Sequence, residues 1–399
     1  MIVFRSTLMI AMVLVLLGCV QTSSLAGSAF ASESSQVVPE GALMIVIDDP
    51  RSERRRRGIG SPGYAASLAY QDDPALKRAA DRMAADHNLT LISHWPLRNL
   101  DVHCLVVEAP ASSAMQALDR DDRVRWMQPF NEFDTQAVDG FLASTAPAAH
   151  TVPRRSITSL FSSLSEQGAG VRIAVVDTAI DESHPDLSGS TIQQTNFAGQ
   201  RGRPGIEEHG TAVVGLIAAS STRPEGVNGF ASEADVRVLR ACWQQEGKVK
   251  GKCNTLTLAL ALDAAIDLKP EVLNLSLTGG YDRVLEELLS VLLESGTIVI
   301  AAYDERRSPK ARFPVSQPGV VYAYGAVDAN VQPANDESTV LSAPRHAMSL
   351  APMAGYDLVS GHSIAAPQIS ALAARLIEGQ PDASRTQILS QLTTWLGTN

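Results

Sequence analysis

Three short segments carry side chains that together can break an acyl bond, in the chain order carboxylate, imidazole, hydroxyl: Asp177, His209 and Ser363. Ser363 stands in Gly361-His362-Ser363-Ile364-Ala365-Ala366-Pro367, directly before a run whose apolar residues Ile369, Leu372, Ala373, Leu376 and Ile377 recur at helical spacing. The spacing predicts a helix with Ser363 at its N-terminus. There, free backbone N–H groups and the positive end of the helix dipole stabilise negative charge developing on an attacked carbonyl oxygen. His209-Gly210-Thr211 opens a second predicted helix, Thr211 to Ala219, and Asp177 follows the apolar strand-like run Val171 to Val176. A hydroxyl is a weak nucleophile until a base takes its proton, and an imidazole serves best when a carboxylate fixes its tautomer and stabilises its cation. Singly, the serine reads as a helix cap, the aspartate as a turn residue and the histidine as a surface residue. Jointly they point to nucleophilic acyl transfer.

The elements that must position these residues alternate. Val171 to Val176, Val236 to Arg240, Val272 to Leu277, Thr297 to Ala302 and Val320 to Ala326 are apolar runs of strand length, largely β-branched. Helical patterns cover Thr211 to Ala219, Leu256 to Leu268, Val284 to Glu294, Ser363 to Glu378 and Arg385 to Leu396. Such alternation predicts an α/β domain, a parallel sheet with helices on both faces. Ligands of such sheets gather at the carboxyl ends of the strands, where Asp177 stands.

Upstream, Ala42 to Phe133 reads as a separate α+β unit: strand Ala42 to Ile47, helix Pro74 to His87, strands Leu89 to His94 and Val102 to Val107, helix Ser112 to Leu118, strand Arg123 to Met127. The order βαββαβ is that of a ferredoxin-like sandwich. Arg51 to Gly63, with Arg54-Arg55-Arg56-Arg57, interrupts it after the first strand and reads as a solvated loop, or alternatively as a membrane-surface or processing segment. Residues 134–158 lack periodicity and read as a linker containing Arg154-Arg155.

The chain resembles the subtilisin-like serine proteases, the subtilases. Val-Val-Asp-Thr at Val175 to Thr178, His-Pro-Asp-Leu at His184 to Leu187, His-Gly-Thr at His209 to Thr211 and Gly-His-Ser-Ile-Ala-Ala-Pro at Gly361 to Pro367 match the family's motifs in its order. Asn274-Leu275-Ser276-Leu277 resembles the strand lining its primary specificity pocket, and Ala351-Pro352 stands at its usual Ala-Pro-Gly. The resemblance covers about residues 160–396 and implies a subtilisin-like sheet in residues 159–399, with Ser363 as nucleophile, His209 as general base and acid, and Asp177 as its orienting carboxylate. Ser276, Leu277, Thr278 and Gly279 would then hold an extended substrate through backbone bonds. Residues 42–133 are similar, more loosely, to the family's inhibitory propeptide. The implied protein is an exported serine endopeptidase made as a self-processing zymogen, cut between Phe133 and Arg155. The alternative is a weakened or inactive pseudoprotease that binds peptides or acts as a scaffold.

Two departures bear on activity. Where the family runs into Ala-Gly-Asn, with the Asn donating to the oxyanion, this chain reads Ala302-Tyr303-Asp304; loss of that donor costs subtilisin roughly a hundred- to thousand-fold in turnover. The family's usual Thr before the nucleophile is His362. Either Asp304 and His362 form a coupled pair beside Ser363, or His362 points to solvent.

Residues 1–19 have the form of an export signal, with Arg5, an apolar run Leu8 to Leu17, then Gly18 and Cys19. Leu16-Leu17-Gly18-Cys19 fits a lipobox, which would lipidate Cys19 and anchor the chain to a membrane; Ala29-Phe30-Ala31 fits ordinary signal cleavage. Residues 20–41 read as a tether. Outside the cytoplasm Cys242 and Cys253, bracketing a polar loop, can form a disulfide, whereas Cys104 falls in an apolar strand. The resemblance puts this loop at the upstream border of the cleft, where Lys248, Lys250 and Lys252 would favour acidic substrate residues or simply solvate the loop. A net charge of −10 argues against a general nucleic-acid partner. No metal-ligand motif stands out, the chemistry calls for no cofactor, and the structural calcium common in subtilases has no assignable ligands here.

Overall fold

In the computed structural model, the described residues are 38–51, 73–135, 157–202, 207–246, 250–303, 312–314, 317–326 and 339–397. Cys19, Arg54 to Arg57, Arg154-Arg155, Lys248 and Asp304 lie outside them. The N-terminal unit contains β1 (Leu43–Asp48), α1 (Pro74–Asp86), β2 (Leu91–Leu97), β3 (Val102–Val107), α2 (Ser112–Leu118) and β4 (Val124–Pro129). Asp73 caps α1 by accepting the Ala75 N–H at 2.8 Å, and Pro74 supplies a first-turn residue with no N–H to satisfy. The strands form an antiparallel sheet in the order β2-β3-β1-β4. This is the ferredoxin-like order that the βαββαβ pattern predicts.

Alternation along these strands serves two cores. Leu43, Ile45 and Ile47 of β1 turn toward Ala80 and Met83 of α1, whereas Met44 and Val46, with Trp95, Val102, Cys104 and Val106, join the core of the following domain. Both faces of the small sheet are therefore covered.

The larger domain comprises β5 (Glu132–Thr135), α3 (Ile157–Ser163), β6 (Arg172–Asp177), β7 (Thr191–Asn196), α4 (Glu208–Ala218), β8 (Asp235–Arg240), β9 (Trp243–Gln244), β10 (Gly251–Asn254), α5 (Thr255–Leu268), β11 (Val272–Leu275), β12 (Leu277–Gly280), α6 (Arg283–Glu294), β13 (Ile298–Ala302), β14 (Arg312–Phe313), β15 (Val321–Ala326), β16 (Thr339–Pro344), β17 (His346–Ala351), β18 (Gly355–Ser360), α7 (His362–Gly379) and α8 (Arg385–Leu396). Seven strands form an all-parallel sheet in the order β16-β15-β13-β11-β6-β8-β7. Ile173 and Val175 of β6 pack with Val213, Val214 and Ile217 of α4 and with α7; Ala174 and Val176, on the opposite face, pack with α5 and α6. Burial on both faces explains why the strands read as continuous apolar runs.

Three expectations need correcting. Val272 to Leu277 is not one strand: it breaks at Ser276, with β11 in the large sheet and β12 in another, because Ser276 turns its hydroxyl to α7. The boundary at residue 133 bisects β5, so Asp134 and Thr135 belong to a strand and not to a linker. Strands β7, β16, β17 and β18 were not anticipated; β7 is half-exposed and polar, and β17 with β18 forms a hairpin outside the main sheet.

Candidate active site

Asp177 is the last residue of β6, and its carbonyl accepts the N–H groups of Ala241 and Cys242 at 3.0 Å each, which fixes the strand end. Its Oδ1 accepts the Thr178 N–H at 2.6 Å and lies 2.7 Å from His209 Nδ1. Both side chains are buried. A carboxylate at Nδ1 requires the proton there, which leaves the Nε2 lone pair available as a base.

His209 sits in the first turn of α4, and the next residue must be small. A Cβ on Gly210 would come within 2.5 Å of the Thr178 carbonyl, so helix and strand end meet this closely only with glycine. The Gly210 N–H donates to Thr178 Oγ1 at 2.9 Å, and the Asp181 N–H to Thr211 Oγ1 at 3.0 Å.

Behind these contacts lies a buried ion pair that sequence reasoning missed. Glu207, immediately before α4, accepts the Ala179 N–H at 2.6 Å and the Gln244 N–H at 3.1 Å, and it pairs with Arg240 at 3.1 Å. Arg240 ends β8 and donates further to Asn196 Oδ1, the Gly199 carbonyl and the Arg201 carbonyl. One carboxylate thus ties the residue two past Asp177 to the residue two before His209. The available signal was an arginine at the end of β8 where the alternation with Val236 and Val238 gives way to Leu239-Arg240, both buried.

Ser363 is the second residue of α7. Gly361, at φ 141°, makes the turn from β18 into the helix, a backbone conformation that side chains oppose. Pro367 lacks an N–H, so the Ser363 carbonyl four residues earlier is released from the helical ladder and instead accepts the Ser276 hydroxyl at 3.2 Å. Asn274 donates to Ser276 Oγ at 3.1 Å and accepts from Ser370 Oγ at 3.0 Å, which locks the first turn of α7 onto β11 and β12. Ala212 and Leu216 of α4 pack against Ile364, so the turns bearing His209 and Ser363 adjoin. Asp177 Oδ2, His209 Nε2 and Ser363 Oγ are buried and make no hydrogen bond among the described residues. The structure therefore joins carboxylate to imidazole directly, and brings the serine's helix alongside without a hydroxyl–imidazole bond.

His362 does not point to solvent. Its side chain is buried, Nδ1 accepts the Gly325 N–H at 3.0 Å, and the ring packs on Tyr324 and Tyr303. A pairing with Asp304 falls outside the described residues.

Strand β5 lies alongside these residues. It lies between β12 and β10, antiparallel to both, in the sheet order β14-β12-β5-β10-β9. Leu277, Thr278 and Gly279 face Thr135, Asp134 and Phe133 in register, whereas Ser276 contributes its side chain to Ser363 and is not part of the strand. Phe133 is fully buried, edge-on to Phe313 with ring centroids 5.6 Å apart, and a Cβ on Gly279 would overlap its ring. Cys242 and Cys253 are disulfide-bonded, which joins the end of β8, beside Asp177, to the β10 wall.

Residues 168–395, more than half of the chain, match the Subtilase family. The chain belongs to the subtilase family. Similar proteins include the thermophilic serine proteinase of Bacillus sp. (strain AK1), 29% identical over 247 residues, 60% of this chain and 60% of that one. M-protease of Shouchella clausii (strain KSM-K16) is 28% identical over 346 residues, 82% of this subtilase and 84% of its own length. Among solved structures, fervidolysin from Fervidobacterium pennivorans, a keratinolytic enzyme related to subtilisin, superposes with a TM-score of 0.60 at 20% identity, over 91% of this chain and 60% of that one. The fold of this subtilase is thus shared with fervidolysin, while it spans about three-fifths of the length of that protein and of the Bacillus proteinase.

Proposed function

We propose that the chain is a serine endopeptidase. The observation that carries this reading is the 2.7 Å contact of His209 Nδ1 with Asp177, which leaves Nε2 as a base beside the helix that bears Ser363. In the proposed cycle Nε2 takes the Ser363 proton as Oγ attacks the peptide carbonyl carbon. The oxyanion so formed faces the N-terminal N–H groups of α7. Collapse breaks the C–N bond, the imidazolium gives its proton to the leaving amine, and an acyl ester remains on Ser363. Water then attacks the ester, His209 accepts its proton, and proton return to Oγ releases the acid. Besides water, these steps draw only on the protein's own side chains and backbone N–H groups. Closing of the His209–Ser363 hydrogen bond on substrate binding is part of the proposal, since such bonds are often long before substrate arrives.

The N-terminal unit is proposed to be an intramolecular inhibitor. Its support is β5 in the cleft, backed by the shared core and by Asn99, whose N–H and side-chain amide reach Asp263 of α5 at 3.0 Å. Self-cleavage would follow Thr135 and precede Arg155. Export rests on residues 1–19, with lipidation of Cys19 proposed to leave the inhibitor on the membrane and release the protease. A fluorophosphonate probe tests the activity: labelling is expected on Ser363 and absent in Ser363→Ala. Mass spectrometry of the mature N-terminus tests the processing, and a lipid on the catalytic domain would contradict it. One observation favours a second reading, a peptide-binding pseudoprotease: β5 fills the cleft while the Ser363 hydroxyl has no bond to His209. A folded protein that never takes up the probe would establish it.

A further inference from the structure

Strand β5 is the one extended segment held in the cleft among the described residues, and its side chains report what the cleft walls can distinguish. Pairing with β10 runs Asn254 with Glu132, Cys253 with Phe133 and Lys252 with Asp134, and there it stops. The next residue, Gly251, does not continue the backbone ladder. Its buried N–H donates instead to the Thr135 hydroxyl at 2.8 Å. A side chain of the bound strand thus supplies the acceptor that a main-chain carbonyl would ordinarily provide.

This contact is close to the chemistry. Thr135 is buried; it faces Leu277, whose neighbour Ser276 is bonded to the Ser363 carbonyl. A Cβ on Gly251 would approach the methyl of Thr178, the residue after Asp177, to 2.6 Å. At the far end of β5, Lys252 Nζ meets Glu132 Oε2 at 2.7 Å, and Asp134 adds to the negative field around the ammonium. Of Lys250 and Lys252, the two described members of the lysine group singled out in the sequence, Lys252 is the one ion-paired with β5.

We propose that Gly251 and Lys252 determine specificity. The cleft selects extended segments with a Ser or Thr hydroxyl at the position of Thr135 and a carboxylate at the position of Glu132, three residues upstream. This inference rests on the endopeptidase reading and names the substrate class for it. Valine has the shape of threonine with a methyl in place of the hydroxyl, so a bound valine segment leaves the Gly251 N–H buried without an acceptor. A site built to bond a hydroxyl rejects the analogue without it far more strongly than an apolar pocket rejects a missing methylene. Lys252 is partly exposed and Glu132 exposed, and their pairing discriminates only a few-fold.

The test uses protein expressed from the full chain, with active Ser363 counted by fluorophosphonate labelling. Quenched fluorogenic peptides Glu-Phe-Asp-X-Gln-Ala, copying residues 132–137 with X as Thr, Ser, Val or Ala, are compared by kcat/KM. Thr and Ser peptides are expected to be cleaved similarly, and Val and Ala peptides about ten- to a hundred-fold less efficiently. Replacing the leading Glu by Lys is expected to cost about two- to five-fold, with that preference reversed by Lys252→Glu. Equal kcat/KM for Thr and Val overturns the role of Gly251, and an unchanged Glu-to-Lys ratio in Lys252→Glu overturns that of Lys252. Should Ser363 take up no probe, the endopeptidase reading fails by itself. The same peptides, dye-labelled, are then ranked by fluorescence anisotropy on the full chain carrying Phe133→Ala, which loosens β5 from between β12 and β10: tighter binding of Thr than Val supports the selection, and equal measurable affinities overturn it.

Discussion

Replacing Arg240 by methionine keeps most of the side-chain volume and removes the charge, and the structure sets the size of the consequence. Both Arg240 and Glu207 are 1% exposed. Without the guanidinium, the Glu207 carboxylate keeps the N–H groups of Ala179 and Gln244 but loses its ion pair with Arg240, and Asn196 Oδ1 and the carbonyls of Gly199 and Arg201 lose the Arg240 donor, Asn196 Oδ1 keeping the Ala198 N–H. Breaking a buried pair from one side costs about 3–5 kcal/mol, much of it the uncompensated charge. Equilibrium unfolding in urea, measured on a Ser363→Ala background to prevent self-digestion, should register that loss. The double variant Arg240→Met with Glu207→Gln is expected to recover much of it, because a neutral amide can still accept one of the two N–H groups. Since Glu207 ties the segment after Asp177 to the start of α4, Arg240→Met in the Ser363 protein should also slow fluorophosphonate labelling, by about a hundred-fold if His209 moves by 1 Å. A single variant destabilised by less than about 1 kcal/mol, or a double variant as unstable as the sum of the singles, would refute the buried-pair reasoning.

Three further outcomes are expected. Phe133→Ala removes a fully buried ring from the cleft, weakens β5 docking by about 3–5 kcal/mol and should make the full chain react faster with the probe; an unchanged rate counts against β5 as the occluding strand. Cys242→Ala with Cys253→Ala opens a loop of 11 residues' separation, costs up to about 3 kcal/mol in denaturant melts, and should raise KM more than it lowers kcat, because Cys253 lies in the cleft wall; a pure kcat loss would contradict this. The third concerns pH. Burial, with His94 beside it, lowers His103 from 6.5 to about 3, so the unfolded chain binds a proton that the folded one refuses: this contribution is complete above 6.5 and is lost as pH falls. Burial raises Asp263 from 3.8 to about 6, so its contribution is complete below 3.8 and is lost as pH rises through 6. Urea midpoints at pH 4, 5.5 and 7 on the Ser363→Ala background should show His103→Gln flattening the acid-side loss and Asp263→Asn removing the opposing trend; slopes equal to the parent's would exclude both assignments.

The legible parts of this protein were those whose signal is local. Asp177, His209 and Ser363 each adjoin an element whose periodicity is strong, and the β6 and β13 runs are apolar because both faces of their sheet are covered. What escaped notice depends on contacts between distant segments. Glu207 and Arg240 are 33 residues apart and meet only because β8 lies beside β6. Strand β5 is short and mostly polar, and its partners β10 and β12 come more than a hundred residues later, so Glu-Phe-Asp-Thr carries no strand pattern of its own. The break at Ser276 is equally invisible locally, because it is fixed by the carbonyl that Pro367 frees in α7. The surroundings of His362 were likewise open in the sequence, because its burial comes from Tyr303, just past β13, and Tyr324 on β15.

The five-stranded sheet has a property that shows only when its middle member is taken away. With β5 gone, β14-β12 and β10-β9 become two separate ribbons whose facing edges each lack a neighbour, set one strand-width apart and held there by the large domain and the disulfide. Such a slot admits a polypeptide only in pleated form, since a helix neither fits the gap nor offers outward amide and carbonyl groups to both rims. Folded proteins would thus be spared unless a loop can be drawn out straight, and the same bare rims would bind stray strands in the freed enzyme.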